Sequence, residues 1–177
     1  MAKIRKFFTM ALTVALMSSC GTHSSVSDAD SSPNLGEQLL GHYTYEHAFN
    51  YDYLGNHFDV SETGTMDFYA DGTGLDSAQQ VYTVTRPDGD TIIYVFDYVS
   101  PSRWSLDADT FFFAGIKESF RMEPDKEDAL SQEIVKLVSG SIDYQYKFHL
   151  DSLTAEKMQW SFIYRDGQSD TWVFERE

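Results

Sequence analysis

Three histidines, His42, His47 and His57, lie among Glu46, Asp52 and Asp59, and this is the one cluster whose residue types suit a metal ion. Their spacing matches neither HExxH nor paired CxxC. Five residues apart on a strand also places His42 and His47 on opposite faces. Surface or hydrogen-bonded histidines are therefore expected, with no metal and no other cofactor. Serine, histidine and aspartate are all present, but no Gly-x-Ser-x-Gly elbow presents a nucleophile. Asp71-Gly72-Thr73-Gly74 reads as a hairpin turn and not as a phosphate-binding loop. No general acid and base stand out among 28 acidic residues. The chain reads as a non-enzyme, with no catalytic residues.

Aromatic stripes carry more information. Tyr94, Phe96 and Tyr98 share one face of a strand, while Ile93, Val95 and Val99 share the other. Tyr144 and Tyr146 lead a second stripe, and Trp160 and Phe162 belong to a third. On an inward face, such rings and hydroxyls would form an apolar pocket with a few orienting polar groups. These seven residues are the candidate ligand-binding set. The alternative is that they only fill the interior, as side chains do in small eight-stranded barrels. The apolar opposite face of 93–99 is expected to pack under a helix or loop.

Cys20 is the only cysteine, so it has no internal disulfide partner. Before it come Lys3, Arg5 and Lys6, then an apolar run from Phe7 to Met17, then Ser18 and Ser19, the order a secretory signal peptide needs. The apolar run falls well short of the ~20 residues that span a bilayer. Leu16-Met17-Ser18-Ser19-Cys20 resembles the lipobox of bacterial lipoproteins, although Met17 stands where Leu is usual. The expectation is a signal peptide over 1–19, cleavage before Cys20, and lipidation there. Each buried lipid methylene adds ~0.8 kcal/mol of anchorage, so several chains hold a protein firmly.

Removing residues 1–19 takes away three positive charges and no negative ones. That leaves 10 Lys+Arg against 28 Asp+Glu, a formal charge of −18. Nucleic acid, which is bound by neutralising phosphates, is excluded as a partner. Peripheral binding to anionic lipid is disfavoured for the same reason. Aromatic content of 15% with abundant Tyr and Phe favours strands.

Positions 20–38 are read as the lipidated cysteine and a flexible tether, rich in Ser, Asp and Gly. As a coil it would reach roughly 20–25 Å. The domain is expected over 39–177. His42–Phe49 reads as a first strand followed by a loop-like aromatic stretch through Asn56, and Thr65–Ala70 as a short strand ending at Asp71-Gly72. Pro87-Asp88-Gly89-Asp90 and Asp107-Ala108-Asp109 each join a hairpin. Period-2 alternation in Tyr144–Leu150, Met158–Tyr164 and Trp172–Phe174 predicts three later strands, the last two joined at Asp166-Gly167. Leu130, Ile134, Leu137 and Val138 recur at helical spacing and predict one short helix near 125–138. Pro124 would sit near its first turn and Gly140 at its end. It is expected to pack against the barrel or cap an open end. About eight antiparallel strands joined by tight turns make the fold all-β, an up-and-down β-barrel.

These motifs resemble the lipocalin-like lipoproteins of the Bacteroidetes. Leu40-Gly41-His42-Tyr43 is similar to that family's opening Gly-x-Trp, with Tyr43 replacing the Trp. Met66–Gly74 resembles its strand and DGTG turn. Trp104 with Asp107–Phe111 resembles its step from Trp through a turn to the next strand, and Tyr144–Thr154 its strand before the final hairpin. The segment 116–140 is longer than the family's usual linker. The resemblance implies a lipocalin-type barrel and a lipobox, and no catalytic residues.

The expected function is therefore a cell-envelope lipoprotein, tethered to the outer membrane on its periplasmic or surface face. Its barrel would hold a small apolar or amphipathic ligand. The alternative is an interaction or inhibitor module whose acidic surface meets a basic protein, with the Tyr/His-rich 42–57 segment as the contact loop.

Overall fold

In the computed structural model, which describes residues 34–163 and 169–177, the alternation seen in the sequence becomes an inner and an outer face. In β1 (Gly41–Tyr53), Tyr43, Tyr45 and His47 are buried and Phe49, Tyr51 and Tyr53 half-buried, while Glu46, Ala48, Asn50 and Asp52 are exposed. The same period runs through β2 (Asn56–Phe68), β3 (Thr73–Thr85) and β4 (Thr91–Asp107). The sheet continues through β5 (Thr110–Gly115), β6 (Arg121–Pro124), β7 (Tyr146–Leu153), β8 (Lys157–Ile163) and β9 (Ser169–Arg176).

Neighbouring strands are antiparallel, and β9 pairs back onto β1, so eight strands close into a barrel in the order β1-β2-β3-β4-β5-β7-β8-β9. Closure removes the open edges that strands this rich in aromatics would otherwise expose. β6 is a ninth segment outside that ring. β4 pairs with β5 over 102–107 and with β6 over 96–99, so β5 and β6 follow one another along one edge of β4. A 3-10 turn, Lys117–Ser119, separates them. The all-β barrel expected from the sequence is thus the fold.

One end is closed by α1 (Leu35–Leu39), whose first turn is capped by Asn34 and whose Leu39 is fully buried. The Tyr43 hydroxyl donates to the Leu39 carbonyl at 3.0 Å. Arg176 lies over the Tyr43 ring, 5.0 Å from its centroid, and donates to the Gln38 carbonyl. Inward of this plug, aromatic rings span the barrel: Phe68 contacts Trp160 at 6.1 Å, and Trp160 contacts Phe111 at 4.5 Å and Phe174 at 4.4 Å. The helix α1 belongs to the domain, so residues 35–38 are structure where a tether was expected. Leu39 supplies the buried apolar contact that holds α1 to the barrel.

The other end carries α2 (Ala129–Ser139). Asp128 caps it, accepting from the Leu130 and Ser131 amides at 2.9 and 2.8 Å, and the Ser131 hydroxyl accepts from the Asp128 amide. Pro124 is not in its first turn: it ends β6, where pairing with Phe96 extends the sheet. Tyr53, at the end of β1, donates to Glu133 at 3.1 Å, and Tyr94 of β4 donates to Asp128 at 2.7 Å, so α2 lies across this end.

Two further expectations are corrected. The stretch 50–56 is not a loop: β1 runs to Tyr53, turns through Leu54 and Gly55 at φ 49° and 81°, and returns as β2. Such left-handed pairs suit a two-residue hairpin, but Leu is so seldom found there that the turn does not show in the sequence. The 42–57 segment is accordingly most of β1, its turn and the start of β2, with its aromatics facing inward, and it is not a loop. Ile93 and Val99 are 51% and 41% exposed, so the second face of β4 is the outer surface and does not pack under a helix. The expected signal peptide, Cys20, Tyr164 and the expected turn at Asp166-Gly167 lie outside the described residues.

Candidate ligand site inside the barrel

The candidate set separates into four groups. Tyr94 and Phe96 are fully buried and packed ring against ring with Tyr82 on the β3–β4 wall, Tyr82 to Phe96 at 5.1 Å. Trp160 is enclosed by Phe111, Phe148 and Phe174. These three residues fill the interior. Tyr144 is displaced altogether: β7 starts two residues later, and Tyr144 sits in the turn after α2, 55% exposed. The Tyr144 amide bonds the Ser141 carbonyl at 3.1 Å, which uses the backbone for a turn instead of the ladder. Tyr146 and Phe162 face inward and remain half-buried, with their rings 6.4 Å apart.

Towards the α2 end, inward-facing rings keep contact with solvent. Phe49, Tyr51 and Tyr53 of β1, Phe148 of β7, Phe162 of β8 and Trp172 of β9 are all half-buried despite pointing into the barrel. His47 stacks on Trp172 at 4.0 Å and bonds Asp170 Oδ1 through Nε2 at 2.9 Å. The barrel is thus plugged with rings at one end and lined with accessible rings at the other.

The inner wall of β1–β4 is also polar. Tyr45 Oη lies 2.6 Å from Glu62 Oε1, 2.8 Å from Asp76 Oδ1 and 3.0 Å from Tyr98 Oη. Tyr98 Oη reaches Asp76 Oδ2 at 2.7 Å and also bonds Glu62. Gln80 donates to Glu62 Oε2 at 3.1 Å and accepts from Tyr82 at 2.9 Å. Burial pushes the Asp76 carboxyl up to about 7, and the neighbouring Glu62 adds to the rise. Burial, then the charges of Asp76 and Glu62, hold the Tyr45 and Tyr98 phenols far above their ordinary range. Tyr98 therefore belongs to a hydrogen-bonded wall and not to an open aromatic face. The opposite wall, from β5 to β9, is built from Phe111, Phe113, Phe148, Trp160, Phe162 and Phe174.

Glu62, Asp76 and Trp172 were not singled out from the sequence, and His47 was weighed there only as one of three histidines of a type that suits a metal. Alternation held the signal: Glu62 is in phase with Phe58, Val60 and Met66, and Asp76 with Ala78, Tyr82 and Val84. The other two histidines of the sequence cluster are hydrogen-bonded on the surface, His42 to Asp67 at 2.7 Å and His57 to Asp52 at 2.8 Å. Among the described residues, no group of three His, Cys, Asp or Glu is placed to hold a metal.

No family model and no curated protein matches the chain. Among solved structures it is similar to a redesigned β-barrel, mFAP1, bound to DFHBI. The two are 12% identical, the match covers 80% of this chain and 97% of that one, and the TM-score is 0.35.

Proposed function

We propose that the domain is a binding module whose barrel admits a small apolar or amphipathic molecule through the end crossed by α2. One observation carries this reading: Phe49, Tyr51, Tyr53, Phe148, Phe162 and Trp172 point inward yet stay in contact with solvent. Rings packed only to fill a core would be excluded from water, as Phe96 and Phe111 are. The inner surface also has two characters, hydroxyls and carboxylates along β1–β4 and bare rings along β5–β9, which suits a ligand with a polar and an apolar side. In this proposal the chain is a lipocalin-like lipoprotein, anchored in the outer membrane by a lipid on Cys20, and it binds without catalysing.

Native mass spectrometry of protein purified from its host tests the binding claim directly. A reproducible extra mass that is released by mild denaturation is the expected result. Repeated recovery of the empty barrel, together with no change in tryptophan emission on titration with amphiphilic dyes, would sink the proposal.

A further inference from the structure

We infer that Tyr45, Glu62, Asp76 and Tyr98 form one proton-binding site, which holds a proton beyond those that two phenols and two ionised carboxylates carry. The site has more oxygen–oxygen contacts than its phenols have hydrogens. Five oxygen–oxygen contacts join the four side chains: Tyr45 to Glu62, Asp76 and Tyr98, and Tyr98 to Glu62 and Asp76. A hydrogen between the oxygens turns such a contact from repulsive to attractive, and each phenol brings only one. With both carboxylates ionised, three contacts would set lone pair against lone pair inside the barrel.

Glu62 is the natural acceptor, because Tyr45, Tyr98 and Gln80 all point donors at it. Once both phenols donate to Glu62, Asp76 faces two phenol oxygens with no donor left, and a proton on its own carboxyl supplies one. The groups facing the site come from each strand around it. β1 contributes Tyr45, with His47 one inward step along and bonded to Asp170; β2 contributes Glu62; β3 contributes Asp76 and Gln80, with Tyr82 beyond; β4 contributes Tyr98. Phe174 and Phe120 pack on Tyr45 and Tyr98, and Met122 pairs with Tyr98. None of these is Lys or Arg, so a proton is the positive charge available to the pair.

The wall here is thin. A Cβ on Gly64 would lie 3.0 Å from the Tyr45 ring, and an open groove of about 820 Å3 on the strands is lined by Thr63, Gly64, Ser77, Ala78 and by Tyr45 and Tyr98. That groove gives the proton a route to solvent without passing the barrel mouth. The site works as a pH-sensitive element of the wall: losing the proton places a second negative charge beside Glu62.

The sign follows from linkage. The folded chain keeps this proton up to about pH 7, whereas an unfolded aspartate has lost it by about pH 4, so folded stability falls as pH rises between those values. The test is the melting temperature of the full chain from about pH 5 to about pH 8, for wild type, Asp76→Asn and Glu62→Gln. Wild type should lose several degrees between about pH 5 and about pH 7 and level off above that, and Asp76→Asn should flatten that slope, because the amide supplies donors at every pH. An unchanged slope in Asp76→Asn overturns the inference. So does stability that rises with pH, the behaviour of a pair held by a bound cation. If Asp76→Asn does not fold, side-chain carboxyl carbon shifts in wild type decide the matter. One buried carboxyl should titrate near neutrality, and none doing so overturns the inference.

Discussion

Tyr94 Oη donates to Asp128 Oδ2 at 2.7 Å, which ties the inner face of β4 to the residue that caps α2. The same carboxylate accepts from two helix amides, so one side chain both starts the helix and fixes it across the barrel end. Tyr94→Phe removes the tie and leaves the cap. It should cost about 1 kcal/mol, the net worth of one such hydrogen bond, and amide exchange should quicken across 129–139 with little change in β1–β4. The Ser131 amide, and after it Tyr94, hold the Asp128 carboxyl below the usual range. Its contribution is therefore complete above the ordinary aspartate pKa of about 4 and fades as pH falls through the lowered value. Exchange that stays unchanged in Tyr94→Phe at neutral pH would show that the helix is held elsewhere.

At Gly64, β2 and β3 leave no room for a side chain. A Cβ there would lie 2.5 Å from Ala78 Cβ and 2.8 Å from the Ser77 carbonyl. Gly64→Ala should destabilise the fold by about 1–3 kcal/mol through overpacking. Adding Ala78→Gly removes the shorter contact and leaves the one to Ser77, so the double variant should recover part of the loss. Denaturant unfolding of the two single variants and the double variant checks this. Strictly additive losses would mean that the two side chains do not compete for the same space.

The barrel was legible because period-2 alternation with Asp-Gly turns survives in most strands, and α2 because four apolar residues recur at helical spacing. What escaped depended on contacts distant in sequence. The β1–β2 turn uses Leu54 at positive φ, so the hairpin is held by thirteen paired positions, Gly41↔Phe68 to Tyr53↔Asn56, and not by turn chemistry. Tyr144 keeps the phase of β7 but is claimed by a turn. Glu62 and Asp76 share the apolar phase of their strands, yet as acids they invite the opposite assignment. They are tolerated inside only because Tyr45 and Tyr98 arrive from β1 and β4, and no local window shows that convergence.

Trp160 and Trp172 pair across β8 and β9 and should nonetheless behave differently. Trp160 is 3% exposed among Phe111, Phe148 and Phe174. Trp160→Ala should cost about 3–5 kcal/mol, the range for emptying a large aromatic site. Trp172 is half-buried at the open end, so Trp172→Ala should cost clearly less while weakening dye or ligand binding at least several-fold. Unfolding curves and fluorescence titrations of both variants separate the roles. If Trp172→Ala binds as wild type does, the accessible rings are not the ligand site.

The anchor can be tested independently of the barrel. In the proposal Cys20 is the lipidated residue, and it precedes α1, where the barrel's closing contacts begin. Cys20→Ala should therefore abolish incorporation of a tagged fatty acid and move the protein out of the membrane fraction. The unfolding midpoint of the domain should stay where it is, since Leu39, Tyr43 and Arg176 are untouched. Equal labelling of wild type and Cys20→Ala would remove the lipid from the proposal and leave the ligand-binding barrel to be judged alone. Loss of the label with retained membrane association would instead mean that a surface of the folded domain binds the envelope. A net charge of −18 after removal of residues 1–19 makes that outcome unfavourable on anionic lipid.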